Sequence, residues 1–142
     1  MLFRAALGAV FVQVLLTFCL LFWMGAVRGA AVKRGEVKIR DIALGDSAWD
    51  SRSKQVSNCY ANQFETPVLF YAVVAFAMIV RQADLIFVVL AWLYVLARIV
   101  HAYIHTTSNH VPTRRNAFAA SVFILIVMWG YFAFLLLVVR FP

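Results

Sequence analysis

Arg4 and Arg28 enclose twenty-three residues without a charge, and Arg115 and Arg140 enclose twenty-four, Asn116 to Val139. A helix of about 20 such residues crosses the hydrocarbon core of a bilayer. Two runs of this kind confine the chain to membrane-spanning helices before any motif is considered. Composition agrees: 65% of the residues are hydrophobic and 13% charged, against roughly 45–50% and about 25% in ordinary soluble domains. The first run has one competing reading, a signal peptide cut near Gly29-Ala30-Ala31. Its apolar stretch is longer than the roughly 7–15 residues of a signal core, which favours a retained helix.

Two further segments are apolar but interrupted. Leu85 opens thirteen uncharged residues that end at Arg98. Thirteen do not span, so the helix is expected to continue through Arg98 and His101 to about residue 106. Thr66 to Val80 gives fifteen uncharged residues, preceded by the polar stretch Tyr60-Ala61-Asn62-Gln63-Phe64-Glu65. N-cap candidates lie between Asp46 and Asp50, and no Gly or Pro follows before Pro67. A second helix therefore starts near Ser51. Pro67 inside it should kink the helix and free the carbonyl of Gln63. The chain reads as one all-α membrane domain over residues 1–142. It is an up-down bundle of four helices at about 3–28, 52–80, 85–106 and 115–140, with a tight turn at Arg81–Asp84 and a short loop from Thr106 to Pro112.

The formal charge is +7. In a membrane chain the basic residues report orientation rather than nucleic-acid binding. With four spans both termini share a side, which holds Arg4, Arg81 and Arg140. The other side holds Arg28, Lys33, Arg34, Lys38, Arg40, Arg52, Lys54, Arg114 and Arg115. The excess places the loop 28–60 and the loop 106–115 in the cytoplasm and both termini opposite.

Ionisable residues inside the spans mark function more often than fold. Asn62 and Glu65 share a helix face at i, i+3, and Arg98, His101 and His105 share another at i, i+3, i+7. Arg98 lies at a depth similar to Glu65 and is its expected partner; a purely structural ion pair is compatible with the same placement. Arg28, Arg114 and Arg115 end or start their helices on the same side, either as cytoplasmic flanks or as part of a site. Together these residues suit a small anionic ligand, because arginines grip carboxylates in bidentate fashion. His101 and His105 at i, i+4 also suit a metal or haem. No second ligand pair is evident, Cys19 and Cys59 form no metal spacing, and no metal is expected.

Asn62-Gln63-Phe64-Glu65-Thr66-Pro67, Arg98-Ile99-Val100-His101 and Pro112-Thr113-Arg114-Arg115 resemble, in order and in helix, the MAPEG family, the membrane-associated proteins in eicosanoid and glutathione metabolism. The first motif is most similar to the family's uncharacterised bacterial branch. The resemblance implies a homotrimer in the bacterial inner membrane, with glutathione as co-substrate bound between subunits near the cytoplasmic side. It matches Arg28, Asn62, Glu65, Arg98 and His101 to glutathione-binding positions, with Arg115 beside them. Arg114 matches the arginine that stabilises the glutathione thiolate. Three positions depart: Asn58 stands for a helix-two arginine, His105 for a helix-three tyrosine and Phe118 for a helix-four tyrosine. The function implied is a glutathione-dependent transferase or peroxidase-like protein acting on small lipophilic electrophiles. The alternative is a non-catalytic lipid-binding or scaffold protein on the same fold.

Overall fold

The computed structural model describes residues 1–43, 45 and 47–138. Asp46, Arg140 and the last stretch expected of the fourth span lie outside the described residues. Five α-helices carry the fold: α1 (Leu2–Lys33), α2 (Ser51–Ala61), α3 (Thr66–Ile79), α4 (Leu85–Thr106) and α5 (Val111–Val138). α2 and α3 follow one another and together make one membrane crossing, so four stretches among the described residues are long and apolar enough to span, and none is a strand.

Each helix end has a local cause. Asp50 caps α2 by accepting from the amides of Arg52 and Ser53 at 3.1 and 3.2 Å. α3 ends at Ile79, and Arg81 just beyond it is left-handed with φ of 58°, with the amide of Gln82 returning to the carbonyl of Ala77 at 2.8 Å. Asp84 caps α4 through the amide of Phe87 at 2.9 Å, and its other oxygen accepts from the Tyr131 hydroxyl, which ties α4 to α5.

Two proline expectations change. Pro67 does not kink a continuous helix. The chain breaks instead: α2 ends at Ala61, a tight 3₁₀ turn covers Asn62–Phe64, Glu65 leaves helical geometry, and Pro67 sits in the first turn of α3. In that position its missing N–H forfeits no bond. Pro112 likewise falls in the first turn of α5, which begins at Val111 rather than near residue 115. α1 also continues past Arg28 to Lys33.

Cross-helix contacts set the topology. Cys59 meets Ala102, Asn62 meets Arg98 and Thr66 meets Tyr94, so α2–α3 runs antiparallel to α4. His101 faces Phe118 and Asp84 faces Tyr131, so α5 runs antiparallel to α4 as well. The main core lies between α3, α4 and α5, where Phe70 stacks on Tyr94 at 4.6 Å beside Val73, Phe87 and Met128. α1 reaches α4 through small residues. A Cβ on Gly8 would lie 3.3 Å from the Trp92 ring, and the Trp92 indole donates to the carbonyl of Ala5 at 3.1 Å.

Candidate anion-binding site

The break before Pro67 positions the site. Where a helix stops inside a membrane protein, its free carbonyls need donors. Arg98 supplies one: its Nη2 donates to the carbonyl oxygen of Asn62 at 2.9 Å. The carbonyl that receives the cross-helix donor is that of Asn62. Asn62 turns its side chain the other way and donates from Nδ2 to Glu65 Oε2 at 2.6 Å. The expected Glu65–Arg98 ion pair is absent among the described residues, where the ion pairs within 4.0 Å are Arg34–Glu36 and Arg40–Asp41. Asn62 stands between the two charges and bonds to both.

The end of α4 is held by α2. The last carbonyls of a helix have no intrahelical partner. Gln55 Nε2 donates to the carbonyl of His105 at 2.7 Å, and Arg52 Nη1 donates to that of Thr106 at 2.5 Å. Arg52 also lies over the Trp23 ring of α1 at 5.1 Å. The loop between α4 and α5 closes on Asn109, a left-handed residue with φ of 50°. Its side chain accepts from Arg114 Nη1 at 2.5 Å.

Beside these supports opens a cavity of about 380 Å³ lined by Asn62, Glu65, His101, His105, Val111, Arg114, Arg115 and Phe118. Five of the residues singled out in the sequence thus share one wall set: Asn62, Glu65, His101, Arg114 and Arg115. Arg98 is fully buried behind it, with its guanidinium carbon 5.9 Å from the Phe118 ring. Arg28 is not in this cavity; it lies over the Trp49 ring at 4.7 Å. Asn58 is exposed on α2 and lines nothing there.

Sequence reasoning did not place Val111, Asn109 or the Gln55 and Arg52 clamps. It weighed His105 and Phe118 only as a metal ligand and as departures from a family pattern. The spacing Arg98–His101–His105 already put His105 on the face that lines the cavity.

Two guanidinium groups and one carboxylate line the cavity, and a third guanidinium lies behind it, so the site favours an anion. Several buried polar atoms around it lack partners: Asn62 Oδ1, Arg98 Nε and Nη1, and Nδ1 of both His101 and His105. Buried donors and acceptors are normally satisfied, and a polar ligand is one way to satisfy them. No cluster of three or more His, Cys, Asp or Glu side chains arranged for a metal occurs among the described residues.

Apolar surface continues from the cavity into the bilayer zone. One turn beyond Glu65 and Phe118, a groove of about 380 Å³ runs between α3 and α5, lined by Thr66, Leu69, Val122, Leu125, Ile126 and Trp129. A second, of about 570 Å³, lies between α1 and α3 along Leu7, Val10, Val14, Val74, Met78 and Ile79.

The family model described as the MAPEG family matches residues 6–134. Comparison with curated proteins and with solved structures gives no match.

Proposed function

The chain belongs to the MAPEG family, and from that premise we propose that it is an integral membrane glutathione-dependent transferase or peroxidase-like protein acting on lipophilic electrophiles. The observation that carries the reading is the cavity where Asn62, Glu65, His101, Arg114 and Arg115 converge beside unsatisfied buried polar atoms. Glutathione offers two carboxylates, an ammonium group, two amides and a thiol. Arg115 is suited to a carboxylate, Glu65 to the ammonium group and Asn62 to an amide. Arg98 holds the Asn62 backbone in place, and His101 adds a polar ring to the wall.

Arg114 has the catalytic role. A guanidinium beside a thiol favours its ionised form, and the thiolate is the nucleophile. The Asn109 side chain fixes the Arg114 guanidinium in advance, so its charge is preorganised rather than recruited during reaction. The groove between α3 and α5 gives a lipophilic electrophile a path from the bilayer to the sulfur, and holding the two together lowers the barrier further.

Assembly completes the account. In a homotrimer with glutathione between subunits, Arg28 acts from a neighbouring copy, which fits its absence from the cavity of its own chain. The protein sits in the bacterial inner membrane with the cavity and both basic loops facing the cytoplasm, as the arginine and lysine excess on that side directs. Equilibrium dialysis of the purified protein tests the central point. Saturable glutathione binding at millimolar concentration or below is expected, and its absence removes the reading.

The apolar groove between α1 and α3 favours one further reading, a lipid-binding or scaffold protein without chemistry. The two readings part at Arg114, which a scaffold does not need.

A further inference from the structure

Arg114 can stabilise a thiolate but cannot make one, because a guanidinium has no proton-accepting capacity in water. The thiol proton needs a destination within the cavity. On α5 the cavity offers only Arg114, Arg115, Val111 and Phe118, and none accepts a proton. On α2 and the turn that follows it, Glu65 is occupied by the Asn62 amide at 2.6 Å, and by the ammonium group in the proposed pose. α4 brings two imidazoles, His101 and His105, whose rings meet edge to face at 5.5 Å.

The two imidazoles are not equivalent. His101 is packed inward, 3% exposed, with its ring 5.6 Å from Phe118 and Arg98 as the charge acting most strongly on it. His105 lies one turn nearer the cytoplasmic mouth, 7% exposed, and the charge acting most strongly on it is Arg114. Its backbone carbonyl is held by Gln55 at 2.7 Å, and its Nδ1, like that of His101, has no hydrogen-bond partner. The backbone that carries the ring is thus held, and Nδ1 is not committed by a carbonyl or carboxylate to one tautomer. The charged and titratable groups that share its cavity or act on it are Glu65 from the turn, Arg98 and His101 from α4, and Arg114 and Arg115 from α5, while Arg52 from α2 holds the next carbonyl, that of Thr106.

Resting on the glutathione reading above, we propose that His105 is a catalytic residue, the base that takes the thiol proton. The S–H bond breaks, its proton passes to the ring nitrogen of His105 that faces the cavity, and its electron pair stays on sulfur beside Arg114. With an electrophilic alkene as second substrate, that pair forms the C–S bond. The π pair moves to the adjacent carbon, and the imidazolium returns its proton there. The reaction needs no other co-reactant, and the cavity ends as it began. A neutral imidazole suits this role because its unshared ring nitrogen can accept the proton, and the thiolate charge formed beside it favours the imidazolium.

The test follows the proton. Glutathione is mixed with the purified full-length protein while thiolate absorbance and a pH indicator are read together. The wild type should form thiolate at pH 7 with less than one proton released per thiolate, because the proton stays on the protein. His105→Gln should form little thiolate at pH 7, recover it as pH rises with a full proton released, and lose about 10²-fold or more in the second-order rate constant. Binding of S-methylglutathione, which has no thiol proton, should change less than threefold in that variant. Full proton release by the wild type overturns the assignment, whatever the variant does. So does a His105→Gln protein that forms wild-type amounts of thiolate at pH 7, and that result leaves glutathione as the ligand. No saturable binding of either compound to the wild type overturns the proposed function, and the assignment with it.

Discussion

Arg98 Nη2 and the carbonyl oxygen of Asn62 are joined at 2.9 Å across 36 residues of sequence. That bond lets the second crossing break where it does. α2 ends, a carbonyl is exposed at membrane depth, and a buried guanidinium from α4 receives it. The same break swings Asn62 and Glu65 away from a continuous helix and into the cavity. Architecture and site share one interaction.

Removing the donor should therefore destabilise the protein. Arg98→Met leaves the Asn62 carbonyl buried without a partner, which costs about 1–3 kcal/mol. A lower thermal unfolding midpoint in detergent is expected, together with weaker ligand binding as Asn62 loses its anchor. Arg98→Lys keeps the charge but not the planar fork and should recover only part of the loss. An unchanged midpoint for Arg98→Met contradicts this account of the break.

A second polar contact holds α1 against the same turn. Gln13 Nε2 donates to Gln63 Oε1 at 3.0 Å, and Gln63 Nε2 donates to the Cys59 carbonyl at 3.0 Å. Both side chains are buried. A double-mutant cycle with Gln13→Leu and Gln63→Leu should give a coupling of about 0.5–1.5 kcal/mol, in the range of hydrogen bonds between membrane helices. Additive effects rule out the pair as a link between α1 and the turn.

Asp50 gives a pH-dependent prediction outside the membrane. The Ser53 hydroxyl and the amides of Ser53 and Arg52 hold its carboxyl below the usual range. A group whose folded pKa is depressed stabilises the fold above its unfolded value and loses that contribution as pH falls through the folded one. Asp50→Ala should thus weaken α2 at pH 7 by about 0.5–1 kcal/mol, the low half of the N-cap range because the group is partly exposed. The difference should shrink as pH drops below about 4. Hydrogen exchange of the α2 amides reads it directly. A difference that stays constant from pH 7 to pH 3 contradicts the cap.

Much of this was legible in the sequence, because uninterrupted apolar length and charge asymmetry are local properties. The runs after Arg4 and after Arg115 name their helices without help from the rest of the chain. The spacings of Asn62 with Glu65 and of Arg98 with His101 and His105 placed those side chains on shared faces. What failed depended on distant partners. Whether Pro67 kinks or breaks a helix is decided by Arg98, far along the chain, which makes a break affordable. The clamp of Gln55 and Arg52 on the end of α4 needs two helices brought together, and no pattern within either announces it. The seat of Arg28 on Trp49 within its own chain depends on a loop residue whose position no periodicity gives.

Arg114 separates chemistry from lipid presentation. Arg114→Gln should lower kcat by about 10²–10³-fold, the usual effect of losing one preorganised stabilising donor. Binding of a lipophilic ligand along the apolar grooves should stay within about threefold of wild type, because no groove residue changes. Equal turnover in variant and wild type excludes Arg114 from the reaction. Loss of lipid binding together with turnover shows that the residue supports structure instead.

The most direct measurement is the ultraviolet thiolate absorbance of glutathione titrated into the purified protein in lipid nanodiscs, wild type beside Arg114→Gln. A saturable thiolate signal at pH 7 in the wild type, absent or shifted to higher pH in the variant, is the expected result. No thiolate signal in the wild type at saturating glutathione, or the same signal in both proteins, contradicts a site in which Arg114 activates the thiol.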